Sequence, residues 1–186
     1  MLTDAEILPT ITTDRLCLRW LEASDVPALW DTFSSPEVCR YWSHPPLTDK
    51  AAAEALRDQI VRYFRERTLF QWGIAERATD KVIGTCTLAE LSSQHRRASL
   101  GYALARPAWG HGYIAEALPA LVSFAFTTLG LHRLEADADP RNARSIRALE
   151  RLGFQREGLQ RERYFLSDEW QDAALYGLLQ SEWRPQ

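Results

Sequence analysis

From Arg15 to Leu21 the chain reads RLCLRWL, apolar and polar side chains alternating with the period of a half-buried strand. The pattern then changes to a helical one. Ser24 offers a cap, Asp25 suits the positive end, and Leu29, Trp30 and Phe33 form an apolar stripe that SSPE interrupts. A second helix starts at Thr48 or Asp49 and runs through AAAEALRDQIVRYFRE, where Ala53, Leu56, Ile60 and Phe64 recur at helical spacing. FQWGIAER, KVIGTCTLAEL and RRASLGYALA follow as strands whose short polar connections predict an antiparallel meander. The next helix, GHGYIAEALPALVSFAFTTLG, carries Leu118, Leu121, Val122, Ala125 and Leu129 on one face and stops at Gly130; Pro119 in its interior is expected to bend it. HRLEADA reads as a strand, NARSIRALERLG as a short helix capped by Asn142 and ended by Gly153, and the segments around FQREG and WQDAALYGLL as a closing pair of strands.

The element order is thus β, α, α, β, β, β, α, β, α, β, β, a mixed α/β sheet with one clear right-handed β-α-β crossover in its middle. With 186 residues, 46% hydrophobic and 25% charged, residues 1–186 fit a single domain. A formal charge of −3 gives no general attraction to nucleic acid or anionic lipid, so neither is expected as a partner. Cys17, Cys39 and Cys86 lack metal-ligand spacing and read as buried thiols of a reducing compartment, with no metal site. MLTDAEILPTIT has neither a basic start nor an apolar stretch, and no segment approaches a membrane span, which points to the cytoplasm.

GHGYIA, Gly110 to Ala115, matches the G-x-G-x-x-A fingerprint of a dinucleotide-binding turn, and acidic residues lie on a strand about twenty residues further on. Topology argues against NAD. A Rossmann domain begins with its glycine turn and repeats β-α units around it, whereas here two helices and a meander come first. A P-loop is excluded because no Lys-Ser or Lys-Thr follows the glycines. What remains is an anion cradle: two glycines let backbone N–H groups approach closely, and a helix entrance adds its positive end.

YALARPAWGHGYIAEAL followed by LEADADPRNARSIRALERLGFQREG, with DAALY before a terminal EW, resembles the GNAT superfamily of N-acetyltransferases, most closely its ribosomal-protein alanine and serine N-acetyltransferase branch. The resemblance covers about the last half of the chain and implies a mostly antiparallel sheet splayed between two parallel central strands and flanked by helices. It implies acetyl-CoA as cofactor, with the N–H groups of Gly110, His111, Gly112, Tyr113, Ile114 and Ala115 around its pyrophosphate. It also implies that the Ala103 and Leu104 backbone and Asn142 lie along the pantetheine arm. The chain departs from the wider superfamily at Trp109, where a basic residue or Gln is frequent, at Ile114, and at Leu149, where a tyrosine is frequent.

Acetyl transfer needs a neutral amine, donors for the oxygen charge and a proton for the leaving thiolate. An α-amine of pKa near 8 is about a tenth neutral at pH 7, so solvent can serve as its base. Ser145, in N-x-x-S, is the candidate leaving-group donor; a locally bonded helix serine is the plainer alternative. Glu135 stands as a candidate base because Ser99 occupies the region where relatives carry an acid, and a purely structural role for it stays open. His111 is read as a solvated side chain. Tyr41, Trp42, Tyr164 and Trp170 are candidates for lining an acceptor groove, and Asp168, Glu169 and Asp172 for attracting a cationic amine. The acceptor is either a protein N-terminus or a small-molecule amine. A catalytically lapsed acyl-CoA-binding module is the competing reading, and both monomer and homodimer remain open.

Overall fold

The computed structural model describes residues 5–166 and 168–184. Eight strands form one sheet: β1 (Ile11–Thr12), β2 (Leu16–Arg19), β3 (Leu69–Glu76), β4 (Val82–Ser92), β5 (Arg97–Leu104), β6 (Arg133–Ala138), β7 (Gln155–Leu166) and β8 (Glu169–Leu179). Their spatial order is β1-β2-β3-β4-β5-β6-β8-β7, antiparallel throughout except for the β5–β6 pair. The sheet is therefore mixed and mostly antiparallel, as expected.

Alternation along the strands builds two apolar layers. On one face Leu118, Leu121, Val122 and Ala125 of α4 (Tyr113–Thr127) and Leu149 of α5 (Ala143–Arg151) pack on Trp72, Cys86, Leu100 and Leu134. On the other, Leu29 and Phe33 of α1 (Val26–Phe33) and Ile60 of α3 (Lys50–Arg65) cover Leu21, Ala75, Val82 and Ala103. A short helix α2 (Pro36–Cys39) follows α1 where SSPE was read as a break. Asp49 caps α3 by accepting from the Ala52 N–H at 2.8 Å.

One local expectation changes. Ser24 does not cap α1; a 3-10 turn over Ala23–Asp25 leads in, and Asp25 accepts from the Glu22 N–H (2.8 Å) and the Arg19 guanidinium (2.8 Å). A buried carboxylate with a cationic partner displaces a hydroxyl cap. Helix α4 is continuous through Pro119, whose missing N–H leaves the Ala115 carbonyl without its helical donor.

β5 and β6 pair only at Arg97–Arg133, Ala98–Leu134 and Ser99–Glu135. Beyond Ser99 they part, β5 staying with β4 as far as Leu104 and β6 with β8 as far as Ala138. Among the described residues no helix is long and apolar enough to cross a membrane.

Candidate functional site

The parted strands open a cleft of about 2330 Å³ walled by the β5–α4 loop, the entrance of α5, the α2–α3 segment and the β7–β8 hairpin. The loop leaves β5 through a 3-10 turn at Arg106–Ala108 and then takes left-handed backbone at Gly110 (φ 83°) and Gly112 (φ 78°). That conformation is what glycine provides here, since a side chain at Gly110 would meet open space. The first turn bond is Glu116 N–H to the Gly112 carbonyl (3.2 Å). Among the described residues the N–H groups of Gly110, His111, Gly112, Tyr113, Ile114 and Ala115 have no acceptor, as helix entrances leave them.

The loop is braced from behind. Glu116 Oε1 accepts from the Thr13 hydroxyl (2.6 Å) and the Arg15 N–H (2.7 Å), and Oε2 accepts from Arg15 Nε (2.6 Å). Arg15 also donates to the His111 carbonyl (3.1 Å) and lies over the Tyr113 ring, on which the exposed His111 ring stacks. On the cleft side Trp109 donates its indole N–H to the Leu104 carbonyl (2.9 Å), with the guanidinium of Arg106 4.8 Å from its ring centroid and that of Arg144 5.2 Å from it. Two guanidinium groups thus stand over the Trp109 ring, that of Arg106 also paired to Glu37.

The gap presents main chain. Ala105 donates its N–H to Ile83 (2.9 Å), which makes them a hydrogen-bonded pair of the antiparallel ladder. Pairs alternate, so Ala103 turns its main-chain groups toward Thr85 of β4, while Tyr102 and Leu104 turn theirs toward the gap. Of the two backbones expected along the pantetheine arm, that of Leu104 turns toward the gap and that of Ala103 toward β4, while Tyr102, not singled out from the sequence, turns toward the gap as well. Across the gap, Asn142 caps α5 by accepting from the Ser145 N–H (3.2 Å). The Tyr102 phenol stands 2.9 Å from Ser145 Oγ and 3.3 Å from the Ser145 carbonyl oxygen. Burial pushes the phenol up, only partly offset by the bond to Ser145, so it is a neutral donor. Nothing in the sequence marked Tyr102, because its alternation with Leu100 reads as core.

The opposite wall is polar. Both oxygens of Glu135 are engaged, Oε2 by Arg97 (2.7 Å) and Oε1 by Arg133 (2.9 Å), and Arg133 also pairs with Glu157. Such a carboxylate ties β5, β6 and β7 together through its two arginines. Two carboxylates that sequence reasoning passed over also line the cleft. Asp137 accepts from the Tyr164 phenol (3.0 Å), and Glu90, on left-handed backbone where the β4–β5 register shifts, accepts from the Ser99 hydroxyl (3.0 Å). A register shift cannot be read from residue types, and Asp137 was hidden inside an apparent strand.

Tyr41, Trp42 and Tyr164 line the cleft. Trp170 does not: it is 59% exposed and packs on Phe165 (ring centroids 5.0 Å apart) at the hairpin tip, away from the gap. Asp172 accepts from the Glu162 N–H (2.8 Å), holding the bulge that turns Tyr164 inward, and Glu169 binds Arg141 (2.6 Å). Asp168 is an exposed turn residue on left-handed backbone.

Comparison with known proteins places this geometry. Residues 15–155 match the family described as acetyltransferase (GNAT) domain. The chain is 36% identical to the uncharacterized N-acetyltransferase p20 of Bacillus licheniformis over 95% of this chain and 99% of that one. It is 27% identical to the ribosomal protein uS5 alanine N-acetyltransferase of Escherichia coli, over 94% and 93% of the two chains. A solved structure of spermidine N-acetyltransferase from Vibrio cholerae, in complex with CoA and spermine, superposes with a TM-score of 0.82 at 23% identity, covering 91% of this chain and 98% of that one.

Proposed function

The chain belongs to the GNAT acetyltransferase family, and from that premise we propose that it transfers acetyl from acetyl-CoA directly onto the primary amine of a protein N-terminus or of a small cationic molecule. Members of this family are N-acetyltransferases that use acetyl-CoA. The observation that carries the reading is the coincidence of an unpaired stretch of β5 with a row of free N–H groups at the α4 entrance, both facing one cleft.

The residues present fit the coenzyme. Six N–H groups between Gly110 and Ala115 match a pyrophosphate, Arg144 adds charge on the same side of Trp109, and the main chain of Tyr102 and the N–H of Leu104 offer strand-like pairing to the amide-bearing arm. Bound acetyl-CoA supplies an activated thioester. The chain supplies position and electrostatics. The Tyr102 N–H, aimed into the gap, is a donor for charge developing on the acetyl oxygen. Ser145 Oγ is the donor assigned to the leaving sulfur. Asp137 and Glu90 attract the acceptor in its protonated form, and cleft water takes its proton before attack. Cys39 and Cys86 take no part as acetyl carriers: both are buried, burial pushes Cys39 up to about 11, and raises Cys86 as well, whereas Cys17 is half-buried on β2.

The uS5 and spermidine enzymes differ in acceptor, and both acceptor types are cationic amines that this wall suits. Release of free thiol from acetyl-CoA, measured with N-terminal ribosomal peptides, polyamines and aminoglycosides, tests the reading. Amine-dependent release supports it. Coenzyme binding without release across the panel assigns the chain to the lapsed, ligand-binding alternative.

A further inference from the structure

The contact between Tyr102 and Ser145 has more chemistry in it than packing needs. Three oxygens meet there with two protons: the phenol, Ser145 Oγ and the Ser145 carbonyl. In one arrangement Ser145 donates to the phenol and the phenol to the carbonyl, and both protons are consumed internally. In the other the phenol donates to Oγ over the shorter, 2.9 Å contact, and the serine proton is free to turn into the gap. Negative charge arising in the gap selects the second arrangement, because only there does a proton face it and a second donor support the first.

We propose that Tyr102 is the positioning residue for Ser145: its phenol donates to Ser145 Oγ and thereby aims the serine hydroxyl at the coenzyme sulfur. The proposal rests on the acetyl-CoA reading above. In the transfer, the C–S bond breaks with its electron pair on sulfur as the C–N bond forms. The sulfur takes the Ser145 proton, Ser145 takes that of Tyr102, and the phenolate regains the proton lost by the acylated nitrogen through cleft water, so enzyme and proton count return to their start. The chain thereby performs from β5 the task for which Leu149 offers no polar group. Without the phenol, the serine hydroxyl loses the donor that fixes its direction.

The decisive experiment follows the thiol of bound CoA by the ultraviolet absorbance of its thiolate, in the wild type, Tyr102→Phe, Ser145→Ala and the double variant. Donors aimed at sulfur stabilise the thiolate, so the wild-type complex titrates at the lowest pH. Both single variants shift upward by a similar amount, and the double variant shifts no further, because two residues acting as one unit are not additive. Turnover falls about 10- to 100-fold in Tyr102→Phe with KM for acetyl-CoA unchanged. A Tyr102→Phe complex that titrates like wild type while Ser145→Ala shifts overturns the proposal, as do additive shifts. A ring-fluorinated tyrosine at 102 keeps the shape and lowers the phenol pKa; the alkaline limb of the kcat profile must then move to lower pH, and an unmoved limb also overturns it. Failure of the wild type to bind CoA at all would instead remove the acetyl-CoA reading.

Discussion

Glu116 holds Arg15 at two points, backbone N–H at 2.7 Å and guanidinium Nε at 2.6 Å, and so fastens the start of β2 to the first turn of α4. Burial alone would raise the Glu116 carboxyl, but the donors from Thr13 and Arg15 outweigh it and hold it below the usual carboxylate range. A depressed folded-state pKa means stability that is present above the unfolded value of about 4.3 and lost as pH falls through the folded one. Asp139 and Glu157 shift the same way, Asp139 against its burial through Arg141, Glu157 chiefly through Arg133. Thermal melts from pH 7 down to pH 3 should therefore fall steeply below about pH 4. Glu116→Gln should lower the melting temperature at pH 7 and flatten that fall; a variant curve parallel to wild type would assign the acid sensitivity elsewhere.

Gly84 leaves no room for a side chain, because a Cβ there would stand 2.3 Å from the Ala103 carbonyl oxygen and 2.9 Å from Leu104 Cα. Both contacts are backbone, so β5 must move rather than a rotamer. Gly84→Ala should cost about 1–3 kcal/mol in denaturant unfolding. It should also weaken CoA binding, since the displaced strand borders the gap. Wild-type stability in this variant would mean that the strand end yields freely.

Gly112→Val places a branched side chain on left-handed backbone (φ 78°) at the N-cap of α4. Strain of about 1–3 kcal/mol is relieved only by rebuilding the turn that aims the N–H groups. Calorimetry should show CoA affinity reduced at least about 10-fold, while the far-ultraviolet circular dichroism stays that of the wild type. Unchanged affinity would detach the coenzyme from this loop.

Arg144 lies over Trp109 without a carboxylate partner in hydrogen-bonding range among the described residues, whereas Arg106 is paired to Glu37 at 3.1 Å. Arg144→Ala should weaken CoA binding a few-fold and reduce its dependence on salt, because an exposed charge acting on a phosphate is screened over a Debye length of about 10 Å at 0.1 M. Binding isotherms at low and high ionic strength check both effects.

Periodicity was enough to find the elements whose faces differ. Leu118, Leu121 and Val122 mark the buried side of α4, and Gly153 ends α5 on left-handed backbone as its position suggests. The cradle was legible because glycine pairs at a strand-to-helix turn answer a backbone need. Side chains facing the cleft were harder. Tyr102 looks like a core residue because alternation tells only which side of a strand it takes, not that the neighbouring strand has moved away. Glu135 looks unpaired until Arg97 and Arg133, placed by the β5–β6 pairing, are brought beside it. Trp170 carries a binding-site residue type, yet the strand pairing of the hairpin puts it opposite Phe165 at the exposed tip.

The divergence of β5 from β6 gives the protein a sheet rim in its interior. In the free protein, the amides of Tyr102 and Leu104 should exchange with deuterium at rates typical of a peripheral strand, although their neighbours on β4 are deep in the fold. An arm that carries its own amides can fill the missing rungs, so the substrate completes the sheet for as long as it stays, and those two positions should fall silent when it arrives.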